Sequence, residues 1–250
     1  MNRRNFLYAL ALSLFSGKAF ALGEDDLFRV AVLNYPGGQP DPRPNALRRL
    51  LFEVEKQTSI RVNATPILIN PVSAELFQYP FLMWMGDQRF PPLSNEAILQ
   101  LRRYIQAGGF IVVDSAEGVV DGPFMNSVKR EFERILPGKS LARVPKDHVI
   151  YKSFFLLERP VGRLAVDDHL LGIFDDDRVA VVFTNNDVAG AWSRDNFGNW
   201  TYPVTPGGDT QRTFALRLGI NLVMYALCIN YKADQVHVPF ILKRRNWRVD

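Results

Sequence analysis

Polar groups able to do chemistry follow strand-like apolar runs at four places in the sequence. They are Asn34-Tyr35-Pro36-Gly37-Gly38, Gly86-Asp87-Gln88-Arg89, Asp114-Ser115-Ala116-Glu117-Gly118 and Asn185-Asn186-Asp187, with Trp192 shortly after the last. In an open parallel sheet, ligands bind beyond the carboxyl ends of the strands, so these segments are expected to converge on one cleft. Its candidate ligand-binding residues are Tyr35, Gly37, Gly38, Gly86, Asp87, Asp114, Asp187 and Trp192. Pro36-Gly37-Gly38 could present backbone N–H groups to an anion, or simply make a turn. It has neither the P-loop lysine nor the dinucleotide glycine spacing, which argues against a nucleotide.

Ser115 sits between a buried strand and a helix, the topological place of a nucleophile elbow. The elbow pattern wants glycine two residues to either side, and those positions hold Val113 and Glu117. A serine nucleophile also needs a base. Of three histidines, His148 in Pro145-Lys146-Asp147-His148 is the best candidate, being a loop histidine beside an acid. A structural or solvated histidine is the alternative. Asp87, Asp114 and Asp187 could together hold a divalent ion or work as acid and base; each could equally cap a helix or close a turn. Asp175-Asp176-Asp177 lacks the calcium-loop alternation and reads as a hairpin turn. No metal and no cofactor is assigned.

The elements that must position these groups are legible as alternating strands and amphipathic helices, an α/β pattern with a mostly parallel sheet. Strands are expected at 28–33, 60–64, 80–85, 110–113, 170–174 and 178–184, with a short edge strand at 141–144. Helices are expected after Asn45, after Ser94 and from Pro123, each beginning at a residue suited to a helix start. The segment 185–208 is a long polar, aromatic and glycine-rich loop, where function or mobility is expected. Thr210–Ile229 reads as a core helix, apolar nearly all round and interrupted by Arg217 and Asn221. Within it, Cys228 is expected to be a buried, inert thiol.

The chain has 250 residues, 47% apolar and 22% charged, which excludes a disordered chain, a coiled coil and a polytopic membrane protein. Its single cysteine excludes an internal disulfide framework. Met1–Ala21 reads as an export signal: a basic start, an apolar run at 6–15 too short to span a bilayer, and Ala19-Phe20-Ala21 for cleavage. Arg3-Arg4-Asn5-Phe6-Leu7 resembles the twin-arginine signal, so a periplasmic location is expected. An uncleaved membrane anchor is the alternative. The domain then spans 22–229, followed by a basic tail at 230–250. The formal charge of +4 is misleading, because Arg3, Arg4 and Lys18 leave with the signal. The last eight residues carry +3, so Leu22–Leu242 is left at −2. Nucleic acid is not an expected partner, and membrane contact is expected only through the tail.

Several separated segments carry a family resemblance. They are Asn34-Tyr35-Pro36-Gly37-Gly38, Tyr79-Pro80-Phe81-Leu82, Met85-Gly86, Leu101-Arg102-Arg103-Tyr104, Gly108-Gly109-Phe110, Asp114, Pro145 with Asp147-His148, Arg217-Leu218-Gly219-Ile220-Asn221 and Tyr225-Ala226-Leu227. In this order they resemble the bacterial domain of unknown function 4159. The resemblance implies a class I glutamine amidotransferase-like fold, a flavodoxin-like three-layer arrangement with helices on both faces of the sheet. It also implies a cell-envelope setting, since such proteins are often encoded near von Willebrand-type proteins and a MoxR-type ATPase. Amidotransferases have a cysteine at the elbow, where this chain has Asp114-Ser115-Ala116, and many relatives have histidine where it has Asp87.

Two functions fit these residues. One is a non-catalytic ligand-binding or assembly protein that takes a small polar ligand or an envelope protein partner. The other is a periplasmic hydrolase using Ser115 or the carboxylates with His148. Export is directly testable: replacing Arg3 and Arg4 by lysine should hold the precursor in the cytoplasm on cell fractionation. Normal export of that variant would exclude the twin-arginine route.

Overall fold

Seven strands build one sheet in the computed structural model, which describes residues 27–234. The expected signal at 1–21 and most of the basic tail lie outside the described residues. Buried apolar runs form the middle of the sheet: β1 (Ala31–Leu33), β3 (Phe81–Gly86), β4 (Phe110–Ser115) and β7 (Arg178–Thr184). All but Arg178 in these four strands are buried, as strands covered on both faces must be. The remaining strands are β2 (Ile67–Ile69), β5 (Ala142–Arg143) and β6 (Leu171–Asp175). The order across the sheet is β2-β1-β3-β4-β7-β6-β5. Strands β2, β1, β3, β4 and β7 run parallel, while β6 and β5 are antiparallel additions at one side. The β6–β7 connection is the expected hairpin turn, with Asp176 at φ 53.

Helices cover both faces. Residues from α1 (Ala46–Gln57), α4 (Val188–Trp192) and α5 (Gly208–Asp234) pack with Val32, Met83, Val112 and Val182 on one side. Residues from α2 (Asn95–Gln106) and α3 (Pro123–Ile135) pack with Leu33, Trp84, Val113 and Phe183 on the other. Ser94 caps α2 by accepting from the Ala97 N–H at 3.2 Å, and Arg178 closes its far end on the Ile105 and Gly108 carbonyls. No helix among the described residues is long and apolar enough to cross a membrane.

Four local expectations are corrected. The alternating run at 60–64 contributes only a bridge, Val62 to Phe28. Asn63 turns the chain by accepting from the Thr65 N–H, so pairing with β1 resumes as β2 only after Pro66. Asn45 precedes α1 but does not cap it. It is left-handed, at φ 62, and its amide donates to the Arg194 carbonyl at 3.2 Å. Cys228 is exposed rather than buried: it shares a face of α5 with Asn221 and Tyr225 but lines an open cavity with Gly108, Asp177 and Arg178. Finally, α5 continues to Asp234, so residues 230–234 belong to it rather than to the tail. Asn221, which breaks the apolar pattern of α5, is wholly buried. Its side-chain oxygen accepts from the Phe154 and Phe155 N–H groups, and its amide donates to the Phe155 carbonyl. A polar residue sits in this helix because it clips down an irregular segment whose backbone has no other partners.

Candidate functional site

Two of the predicted acids meet at the carboxyl ends of β4 and β7. Asp114 is the fifth residue of β4, and both of its oxygens accept backbone N–H groups from the start of α4: Val188 at 2.9 Å and Ala189 at 2.8 Å. Asp187 immediately precedes that helix, is left-handed at φ 51, and accepts the Gly190 N–H at 3.1 Å. Its carboxylate is fully buried and gripped by two arginines. Arg43 donates from Nε at 2.8 Å and from its terminal nitrogen at 2.7 Å, and Arg163 donates from Nε. The forked Arg43 pair is the geometry in which guanidinium binds carboxylate most strongly. Arg43 also donates to the Ala116 carbonyl at 2.9 Å and lies over the Tyr202 ring at 4.6 Å. The cluster therefore ties the loops after β1, β4 and β7 to the loop that contains Arg163.

The other expected members are not brought into this cluster. Strand order reverses between β1 and β3, and a ligand is expected in the crevice there. Tyr35 fills it. Its hydroxyl donates to the Met85 carbonyl at 2.7 Å, and its ring packs on Phe90 at 4.7 Å and Trp84 at 5.9 Å. Burial, with smaller contributions from Asp87 and Glu117, pushes this phenol well above its ordinary range, so it stays a donor. The glycines fit around the ring. A Cβ on Gly38 would fall 1.8 Å from it, and one on Gly86 would fall 2.4 Å from its hydroxyl. Gly37, at φ 70, turns against Pro91. These are demands of close packing, and the Gly37 carbonyl accepts from Gln88 at 3.4 Å. Asp87 is exposed at the end of β3. Trp192 is fully buried, with its indole N–H on the Ala215 carbonyl at 2.9 Å and its ring against Gly219, so it is core.

Ser115 and His148 lie at opposite ends of the sheet. Ser115 ends β4 and pairs with Gly86. Its hydroxyl is buried, donates to Glu117 at 3.1 Å and accepts the Glu117 N–H at 3.3 Å. Glu117 in turn caps α3 through the Phe124 N–H at 2.9 Å. His148 packs against Tyr225, whose ring contacts Phe110 at the start of β4. Its Nδ1 accepts the Ile150 N–H at 3.2 Å, capping the short 3₁₀ turn Val149–Tyr151, and burial lowers its pKa. The strand separates the pair by five residues, roughly 16 Å at the usual rise. Among the described residues no group of three His, Cys, Asp or Glu side chains is placed to hold a metal ion.

Sequence reasoning missed Arg43 and Arg163, and carried Glu117 and Asn186 only as neighbours of Ser115 and Asp187 in the strand-end segments. Asn186 is fully buried; its oxygen accepts the Val166 and Asp167 N–H groups, both at 2.8 Å, and its amide donates to the Asp167 carbonyl at 3.0 Å. The one available signal was indirect. An acid destined for burial needs a cation, and Arg43 and Arg163 both flank glycine- or proline-bearing segments that could deliver one. Nothing in the spacing named them.

Burial, and then the charge of Asp187, push the Asp114 carboxyl up to about 7, against the pull of the Ala189 and Val188 N–H groups and of Arg43. A carboxyl raised above its unfolded value binds more protons folded than unfolded between the two values. Its contribution to stability is therefore complete below about pH 4 and is lost as the pH rises toward 7. Asp114→Asn removes that titration and one of the two N–H acceptors, at a cost of about 1–3 kcal/mol. Urea unfolding should show the wild-type advantage over Asp114→Asn narrowing from pH 5 to pH 7.5. A widening advantage would mean that Asp114 is held ionised.

Comparison with curated proteins finds no match to this chain. One family model does match, over residues 29–227, a span that holds all seven strands and the Asp114–Asp187 cluster. A match across most of the chain, together with the α/β sheet that the matched residues build, places it: the chain belongs to the family described as Domain of unknown function (DUF4159).

Proposed function

We propose that the chain is a non-catalytic ligand-binding or assembly protein of the cell envelope, on a class I glutamine amidotransferase-like scaffold. One observation carries this reading. The buried polar side chains at the strand ends, Asp114, Ser115 and Asp187, are all bonded to other parts of the fold. A catalytic group needs a free lone pair or proton facing substrate; Asp114 spends its own on a helix start, Asp187 on arginines and a helix start, and Ser115 on Glu117. The run of parallel strands β2-β1-β3-β4-β7, with helices on both faces, supports the scaffold. The serine in place of an elbow cysteine supports the absence of amidotransferase chemistry. The twin-arginine-like start supports export to the periplasm.

With the crevice between β1 and β3 filled by Tyr35, a small polar ligand would have to enter beside it. A cleft of about 440 Å³ opens there, lined by Asn34, Asn70, Ser94 and Glu96 at the ends of β1 and β2 and the start of α2. Its size suits a ligand of a few rings or a short peptide segment. An envelope protein partner could present the same kind of polar segment.

Two assays on the purified mature chain test the proposal together. Esters, amides and glutamine should show no turnover that Ser115→Ala removes. Thermal shifts across sugars, short peptides and divalent ions should find a stabilising ligand whose effect Asn70→Ala or Glu96→Ala weakens. Turnover abolished by Ser115→Ala would make the protein a hydrolase and overturn the reading.

A further inference from the structure

The long polar loop expected at 185–208 contains a cluster that the strand-end site does not use. Arg194 and Trp200 pair across a small hairpin, with Thr201 N–H donating to the Ser193 carbonyl below them. At the tip, Asp195 accepts the Phe197 and Asn199 N–H groups and tightens the turn. The Arg194 guanidinium lies 3.9 Å from the Trp200 ring centre. Two further arginines reach the same ring from different helices: Arg212 of α5 at 4.2 Å and Arg49 of α1 at 5.6 Å.

Three guanidinium groups around one indole are an excess of positive charge. Glu53 answers Arg49, and Asp209 stands 3.7 Å from Arg212 but is almost wholly in solvent. Arg194 enters no ion pair among the described residues. The like charge of Arg49 adds to partial burial in depressing its pKa. The hydrogen bonding shows the same deficit. Five buried side-chain nitrogen or oxygen atoms have no partner among the described residues, and three of them are the Nε atoms of Arg49, Arg194 and Arg212. Arg212 is only 5% exposed; its terminal nitrogens hold the Ala191 and Tyr202 carbonyls, which fixes the plane of the guanidinium and leaves Nε with no acidic group nearer than Asp209 at 3.7 Å. Unsatisfied donors of a charged group are costly. The Nε atoms lie inside, but the terminal nitrogens of Arg194, which donate to no group among the described residues, are left for an acceptor outside the fold.

We propose that Arg49, Arg194 and Arg212 form a binding site for a phosphate group, held in position by Trp200. A tetrahedral oxyanion fits better than a carboxylate. Three guanidiniums reach one ring from a hairpin and two helices and so carry more donors than the two coplanar oxygens of a carboxylate can accept. The dianionic charge of a phosphate also matches the local excess of cations. The indole serves as a plate against which the guanidiniums stack, so that little side-chain freedom is lost on binding. The phosphate group could belong to a small soluble compound or to an anionic lipid, and Phe52 and the highly exposed Phe197 stand on the same elements. This site is separate from the cleft beside Tyr35 and does not rest on the non-catalytic reading.

Calorimetric titration of the mature chain with inorganic phosphate, at constant ionic strength in chloride, tests the proposal. A parallel sedimentation assay uses phosphatidylglycerol vesicles against phosphatidylcholine vesicles. Arg194→Gln is the informative variant, because the Arg194 side chain makes no hydrogen bond or ion pair among the described residues and its backbone bonds are kept; an unchanged melting temperature without ligand would show that the fold is kept. Arg48→Gln, one residue from Arg49 but outside the cluster, controls for general charge. Phosphate binding that weakens about tenfold or more in Arg194→Gln but not in Arg48→Gln supports a soluble phosphate ligand. The same contrast seen only with phosphatidylglycerol vesicles supports a lipid headgroup. Absence of both, or equal weakening by the two variants, overturns the site.

Discussion

Asp187 is a charge placed where no water can reach it, and the carboxyl end of the sheet is organised around that fact. A carboxylate in so dry a place persists only when paired and hydrogen-bonded. Arg43 and Arg163 supply the pairing and Gly190 a backbone donor. To deliver them, the loop after β1 and the segment at 160–167 must close over the start of α4. Asn186 fastens that segment from beneath, and the absence of a side chain at Gly162 lets it approach, since a Cβ there would fall 2.1 Å from the Asn186 carbonyl oxygen. Asp114 completes the arrangement by holding the first two free N–H groups of α4. Removing one partner from such a set strands a buried charge, which is why these residues act as a unit.

This arrangement explains why a chain with so many polar residues at its strand ends offers so little free chemistry. Acids after parallel strands are the usual raw material of an active site. Here Asp114 and Asp187 serve as ties between loops. The same exchange occurs at Ser115, whose hydroxyl positions Glu117, and at Tyr35, whose ring occupies the space a ligand would take at the strand reversal. The cleft beside Tyr35 and the arginine cluster around Trp200 lie outside these ties.

The fold was legible wherever burial is complete. Phe81–Met85 and Phe110–Val113 are continuous apolar runs because both faces of their strands are covered, and a two-residue alternation would have been wrong for them. Ser94, Pro123 and the aspartates of the β6–β7 turn act locally, so their local chemistry sufficed. Legibility failed where a distant partner decides. Arg43 lies 144 residues from Asp187, and no pattern announces a pairing over that distance. Asn45 occupies a helix start but is claimed by Arg194, far along the chain. Cys228 sits in an apolar stretch, yet its exposure depends on the open cavity it lines with Gly108 and Arg178, far off in the sequence. Trp192 and Tyr35 have the residue types of a ligand-binding surface, and only packing shows them to be core.

The central claim is that the Asp114–Asp187 cluster locks the start of α4 into the fold. Backbone hydrogen exchange at Val188 and Ala189 measures this directly, because their N–H groups end on the Asp114 carboxyl. In a five-residue helix such groups would ordinarily exchange through local fraying. The account predicts exchange only through global unfolding, with opening free energies matching those of β4. Exchange at the rate of an exposed turn would contradict it and would make the cluster a mobile site open to solvent.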